Sequence, residues 1–114
     1  MARAFSDLSL WRWQRRTALA TLPLVVAHVV LQYWVFGIDN ASFDAVSARV
    51  QGGVILALDV LLLAAVGAHG FLGLRSVLQD YAGSSAAAAW ITRATLAAFA
   101  AVLLYGLVAL AAFL

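Results

Sequence analysis

Three apolar runs govern what this chain can fold into. They cover residues 17–37, 52–74 and 94–114, each about 20 residues long. At about 1.5 Å rise per residue, a helix of that length crosses a hydrocarbon layer about 30 Å thick. A backbone in that layer must pair its own polar groups, and a helix does so within one segment. The expected fold is therefore all-α: a multi-pass membrane protein of three transmembrane helices, in one domain over residues 1–114. A short N-terminal arm, a first loop at 38–51 and a second loop at 75–93 make up the remainder.

Composition agrees. Of the 114 residues 66% are hydrophobic and 11% charged, against about 25% charged in a typical soluble protein. The chain has no Cys, which excludes disulfides, thiolate metal sites and thiol nucleophiles. The net charge of +2 does not point to nucleic acid, because the basic residues flank apolar runs and form no solvated patch. The first apolar run exceeds the roughly 7–15 residues of a cleaved signal, so the chain is expected to be mature from Met1.

Arginine placement predicts orientation. Arg3, Arg12, Arg15, Arg16, Arg75 and Arg93 lie in the arm and second loop, and Arg49 alone lies in the first loop. Positive charge stays on the cytoplasmic side. The N-terminus is thus expected in the cytoplasm and the C-terminus outside, across an inner or cytoplasmic membrane. Trp11, Trp13, Trp34 and Trp90 fall near the predicted interfaces, as belt residues do.

His28, Asp59 and His69 fall inside the runs. Ionisable groups there are costly and are candidates for function. His69 lies roughly 9 Å below Arg75 along a helix. Gly73, Ser76 and Asp80 fall within about 40° of its face, and Gly67 and Gly70 flank it. Such glycines suit two uses. They give clearance to a flat macrocycle bound through the imidazole, or they let a neighbouring helix pack closely. His28 lies roughly 18 Å from Arg16, which puts the two histidines about 9 Å apart in depth. One flat cofactor could not then take both as ligands, and each site needs a partner chain. Thr17, Thr21 and Gln32 share the face of His28, a stripe that should meet protein or cofactor and not lipid. Pro23 removes a helix hydrogen bond in the same run. Asp59 could accept from His28, pair with Arg49 or meet another chain.

These residues carry a resemblance. His69-x3-Gly73-x6-Asp80-Tyr81, with Gly73-Leu74-Arg75 inside it, resembles the signature of the small membrane-anchor subunits of succinate dehydrogenase, in particular the D-type cytochrome b anchor. The order along the chain is similar too: Arg16, Ala27-His28, Ser47-Ala48-Arg49, Leu58-Asp59 and His69-Gly70. The resemblance implies one or two haem b groups shared with a partner anchor, with His69 as axial ligand and His28 as the ligand of a second. It implies that Arg16 lies near the haem propionates and that Ser76 can bond one. Tyr81 would bond a carbonyl of ubiquinone or menaquinone, with Asp80 beside it. The implied partners are a second, C-type anchor, an iron–sulfur subunit and a flavoprotein subunit, besides membrane lipid. A fumarate reductase anchor would share this architecture. A cofactor-free structural or assembly protein of three helices is the alternative of another class.

Overall fold

A computed structural model describes residues 7–37, 39 and 41–114. Arg3 lies outside the described residues. Helix α1 (Asp7–Val30) widens into a π-helical turn (Leu31–Val35), and short helix α2 (Phe43–Gln51) follows. Helices α3 (Val54–Gln79) and α4 (Ser85–Ala111) complete the order. By length and hydropathy, Leu8–Val35, Val54–Gln79 and Ser85–Ala111 can each cross a membrane. The expected three spans are present, but their helices are longer than their apolar cores.

Each extension has a local cause. Residues 7–22 contain neither Gly nor Pro, so nothing stops α1 from running back through the basic arm. Two pairs at helical spacing support it there: the Arg15 guanidinium lies 4.9 Å from the centroid of the Trp11 ring, and that of Arg16 lies 5.3 Å from Trp13. Exposed pairs of this kind contribute about 0.5–1 kcal/mol each. Helix α1 also continues through Pro23. The second loop shrinks to the few residues between Gln79 and Ser85. Ser84 caps α4 by accepting from the Ala87 amide at 3.1 Å, and the alanines of 86–89 are the strongest helix formers. The first loop holds α2, started by a Ser42 cap that accepts from the Ala45 amide at 3.3 Å. Asp44 in its first turn and Arg49 in its last complement the helix dipole. Gly53, at φ 82°, makes the turn from α2 into α3, a conformation that favours glycine.

Helix α3 is the central element, packed against α1, α2 and α4. It runs antiparallel to both long neighbours, so the bundle has two distinct ends. One end gathers Arg12, Arg15, Arg16, Arg75 and Arg93 with the turn that carries Tyr81. The other holds α2 with Arg49. At that second end Ser47 Oγ donates to the Phe113 carbonyl at 2.7 Å, Gln51 Nε2 donates to the same oxygen at 3.3 Å, and the rings of Phe43 and Phe113 stack at 5.0 Å. The molecule measures 52 × 25 × 22 Å, long enough to cross the hydrocarbon layer and reach both headgroup regions.

Among the described residues Val50, Leu72 and Thr95 are buried, while Leu19, Leu61, Leu104 and many other large apolar side chains are exposed. Such a surface suits lipid and neighbouring subunits, not water. Inside, small residues set the helix spacing. A Cβ at Gly67 would stand 2.8 Å from the Phe99 ring, and one at Gly106 would stand 2.5 Å from Leu63. Phe99 is itself stacked on Phe71 at 5.8 Å, so its ring has little room to retreat. Gly67→Val should therefore pry α3 from α4 and lower stability by about 1–3 kcal/mol, seen as a reduced melting temperature of the detergent-solubilised protein. An unchanged melting temperature would show that this contact is slack.

Candidate functional site

A cleft of about 380 Å³ lies between α1 and α3 at the arginine-rich end. Trp11, Gln14, Arg15 and Ala18 line it from α1, and His69 and Ser76 from α3. Helix α3 supplies His69 and Ser76 on one face, because a separation of seven residues is close to two turns. Helix α1 meets that face through Gln14 and Thr17.

The His69 ring is held by its Nδ1. That nitrogen lies 3.2 Å from the Gln14 carbonyl oxygen and 3.2 Å from Thr17 Oγ1. The Thr17 hydroxyl donates to the same carbonyl at 3.0 Å. A carbonyl can only accept, so the arrangement is satisfied when Nδ1 carries the proton and donates. Nε2 then keeps its lone pair, and it makes no hydrogen bond among the described residues. An imidazole anchored at Nδ1 by a carbonyl, with Nε2 open, is the usual form of a metal-ligating histidine. Among the described residues no three His, Cys, Asp or Glu side chains cluster. A metal held at His69 would therefore take one ligand from the described residues and the others from outside them.

The glycines around His69 differ in what surrounds them. Gly67 packs against Phe99, whereas a Cβ at Gly70 would meet nothing within 4 Å. Gly73 faces Gln14, whose side-chain nitrogen would lie 3.9 Å from an added Cβ.

Other candidates fall in separate places. Arg15 lines the cleft with His69 and Ser76, while the neighbouring Arg16 points to Trp13. Tyr81 is 82% exposed on the α3–α4 turn, next to exposed Asp80. That turn is braced from behind. Arg75 Nε donates to Thr92 Oγ1 at 3.0 Å, and Gln79 Nε2 donates to the Ala88 carbonyl at 2.9 Å and to Thr92 Oγ1 at 3.2 Å. Arg75 is thus engaged with Thr92, not with Asp80.

His28 meets Asp59 across the same α1–α3 seam, Nδ1 to Oδ1 at 3.4 Å. Of the two partners within this chain open to Asp59, His28 is the one in contact, and Arg49 instead lies 4.8 Å over the Phe36 ring. The contacts Thr17–His69 and His28–Asp59 are eleven residues apart on α1 and ten apart on α3. At about 1.5 Å per residue the two histidines are separated by about 15 Å along the helices. This corrects the 9 Å expected from their distances to flanking arginines, because α1 extends past Arg16 and brings Thr17 level with His69. Between them Thr21 Oγ1 is buried without a hydrogen-bond partner. The stripe of Thr17, Thr21 and His28 therefore faces α3.

Sequence reasoning missed the Gln14 carbonyl, Arg15, Trp11 and Thr92. Trp11 and Arg15 carry a usable signal, an aromatic and a cation four residues apart. The others depend on the register between helices.

Three apolar spans, two of which enclose a histidine cleft, define an all-helical membrane protein. The family model described as succinate dehydrogenase/fumarate reductase transmembrane subunit matches residues 1–109, and the chain belongs to that family. It is therefore a membrane component of an enzyme complex, associated with the complex's catalytic subunits. No individual curated protein and no solved structure matches it significantly.

The two threonines of the seam should respond oppositely. Thr17→Val removes a contact to His69 and should cost about 0.5–1.5 kcal/mol, whereas Thr21→Val removes an unpaired hydroxyl and should be neutral or stabilising. Thermal melts of the two variants distinguish these outcomes, and equal losses would contradict the assignment.

Proposed function

We propose that this chain is the haem b-binding anchor subunit of a succinate dehydrogenase, passing electrons from succinate oxidation to a membrane quinone. The observation that carries the proposal is the His69 ring, held at Nδ1 by Gln14 and Thr17 with Nε2 open. Family membership supplies the catalytic context. The cofactor-free alternative leaves that open nitrogen, and the clearance at Gly70, without a use.

Each residue has a stated task. His69 would hold the haem iron through Nε2, and a second anchor subunit would complete the site. Arg15 is suited to a propionate carboxylate, since it lines the same cleft; Ser76 can donate to it as well. Arg16, one position further on, offers its charge outside the cleft. The haem, when bound, would supply one-electron storage.

The quinone reading rests on the turn after α3. Tyr81 presents a hydroxyl donor that makes no hydrogen bond among the described residues, and reduction of a quinone builds negative charge on its carbonyl oxygens. A fixed donor there stabilises that charge. Asp80, exposed beside it, can exchange protons with water and deliver them as the carbonyls are reduced. The brace from Arg75 and Gln79 to α4 keeps the donor in place, which preserves its alignment. In the membrane the arginine-rich end faces the cytoplasm, by the charge rule, so that the iron–sulfur and flavoprotein subunits dock on the face carrying Tyr81. The C-terminal end of α4 then lies outside.

Two substitutions test this reading in the purified complex. His69→Ala should abolish or strongly perturb one haem b absorbance signal while the subunits still assemble; an unaltered bis-histidine spectrum would overturn the ligand assignment. Tyr81→Phe should slow quinone reduction at least about tenfold, equivalent to about 1.4 kcal/mol. Electron transfer from succinate to an artificial dye should persist. Normal quinone kinetics would remove Tyr81 from the site.

A further inference from the structure

Helix α1 has two sides of different chemistry. Gln14, Thr17, Thr21 and His28 form the side turned to α3. On the other side Arg16, Leu19, Pro23 and Val26 fall within about 40° of Arg12, and the four seam residues lie at least about 140° from it. All five residues of this outer face are exposed.

The head of the face is cationic. The Arg16 guanidinium lies 5.3 Å from the centroid of the Trp13 ring, a contact that leaves it less freedom to lose on binding. Arg12 makes no hydrogen bond, ion pair or ring contact among the described residues. Side chains four residues apart are neighbours on a helix, and like charges there repel. An anion between the two guanidiniums removes that cost.

Below the arginines the face is apolar. Ten residues separate Arg16 from Val26, about 15 Å along the helix. This is half of a hydrocarbon layer about 30 Å thick, the depth of one leaflet. Faces that pack on another membrane helix are rich in Gly, Ala, Ser and Thr, which allow close approach. Leu19, Pro23 and Val26 supply none of these. The face therefore suits an acyl chain, not a helix.

We propose that the outer face of α1 is a binding site for one anionic phospholipid. Arg12 and Arg16 hold the headgroup phosphate, whose oxygens match the guanidinium fork, and an acyl chain lies along Leu19, Pro23 and Val26. A zwitterionic headgroup brings an ammonium of its own, which opposes the two arginines, so net lipid charge sets the preference. Each arginine beside an anionic headgroup strengthens binding about fivefold. The site is independent of the haem and quinone readings, because it lies on the side of α1 away from the seam with α3.

The test is native mass spectrometry of the whole purified complex in detergent, titrated with phosphatidylglycerol or with phosphatidylcholine. The double variant Arg12→Gln/Arg16→Gln should retain one phosphatidylglycerol fewer per anchor and bind it at least about tenfold more weakly. Phosphatidylcholine should bind wild type and variant alike. Arg93→Gln removes an exposed charge on α4 and should leave phosphatidylglycerol retention unchanged; a loss as large as that of the double variant would overturn the site in favour of general attraction. Phosphatidylglycerol with a photoreactive acyl chain should label residues 19–26, and labelling confined to other segments would overturn the placement. Release of the catalytic subunits from the double variant, with lipid retention unchanged, would overturn the proposal and make the face a protein interface. Should the double variant fail to assemble, Arg12→Gln decides: phosphatidylglycerol binding about fivefold weaker supports the site, and unchanged binding overturns it.

Discussion

The register of α1 against α3 is the constraint on which the rest depends. In lipid, apolar side chains gain little by leaving one apolar surface for another, so close packing and a few polar contacts must align the helices. Here Gln14 and Thr17 meet His69 at one level, and His28 meets Asp59 at another. A slip of one residue would break both contacts together and leave ionisable groups facing hydrocarbon, which is costly. The same contacts that align the helices also orient the two imidazoles, so alignment and chemistry share the same atoms.

The exposed surface gives this arrangement its context. A chain that buries so few of its apolar residues is one part of a larger apolar assembly. Its histidines open toward space that it does not fill, and its tyrosine stands on a turn with the hydroxyl unused. The family to which the chain belongs consists of transmembrane subunits of larger enzyme complexes.

Much of this was legible in the sequence, and the remainder was hidden for physical reasons. The three spans followed from run length, and the polar face of α1 followed from helical period. Helix ends were less visible because the reading followed hydropathy. A helix does not stop where its residues become polar, and nothing between 7 and 22 breaks it. The short α2 was hidden for the same reason: its residues are half polar, although Ser42 and Asp44 form a start signal. The separation of His28 and His69 was misjudged because Arg16 and Arg75 were used as level marks on two helices that are offset from each other. That Arg15 lines the α1–α3 cleft while Arg16 does not could not be read from the sequence, since neighbours 100° apart on a helix are separated only by the position of the facing helix.

The ties of Ser47 and Gln51 to Phe113 have a consequence for biosynthesis. N-terminal segments emerge first during synthesis. The partners of His69, at positions 14 and 17, are already made when it appears, so the seam can form while the third span is still being translated. Ser47 must wait for residue 113. The two ends of the bundle are therefore completed in sequence, first the end with the histidine cleft and last the end carrying α2. Until that last step, the first two spans form a hairpin with one flank uncovered, on which another subunit inserted at the same time could pack.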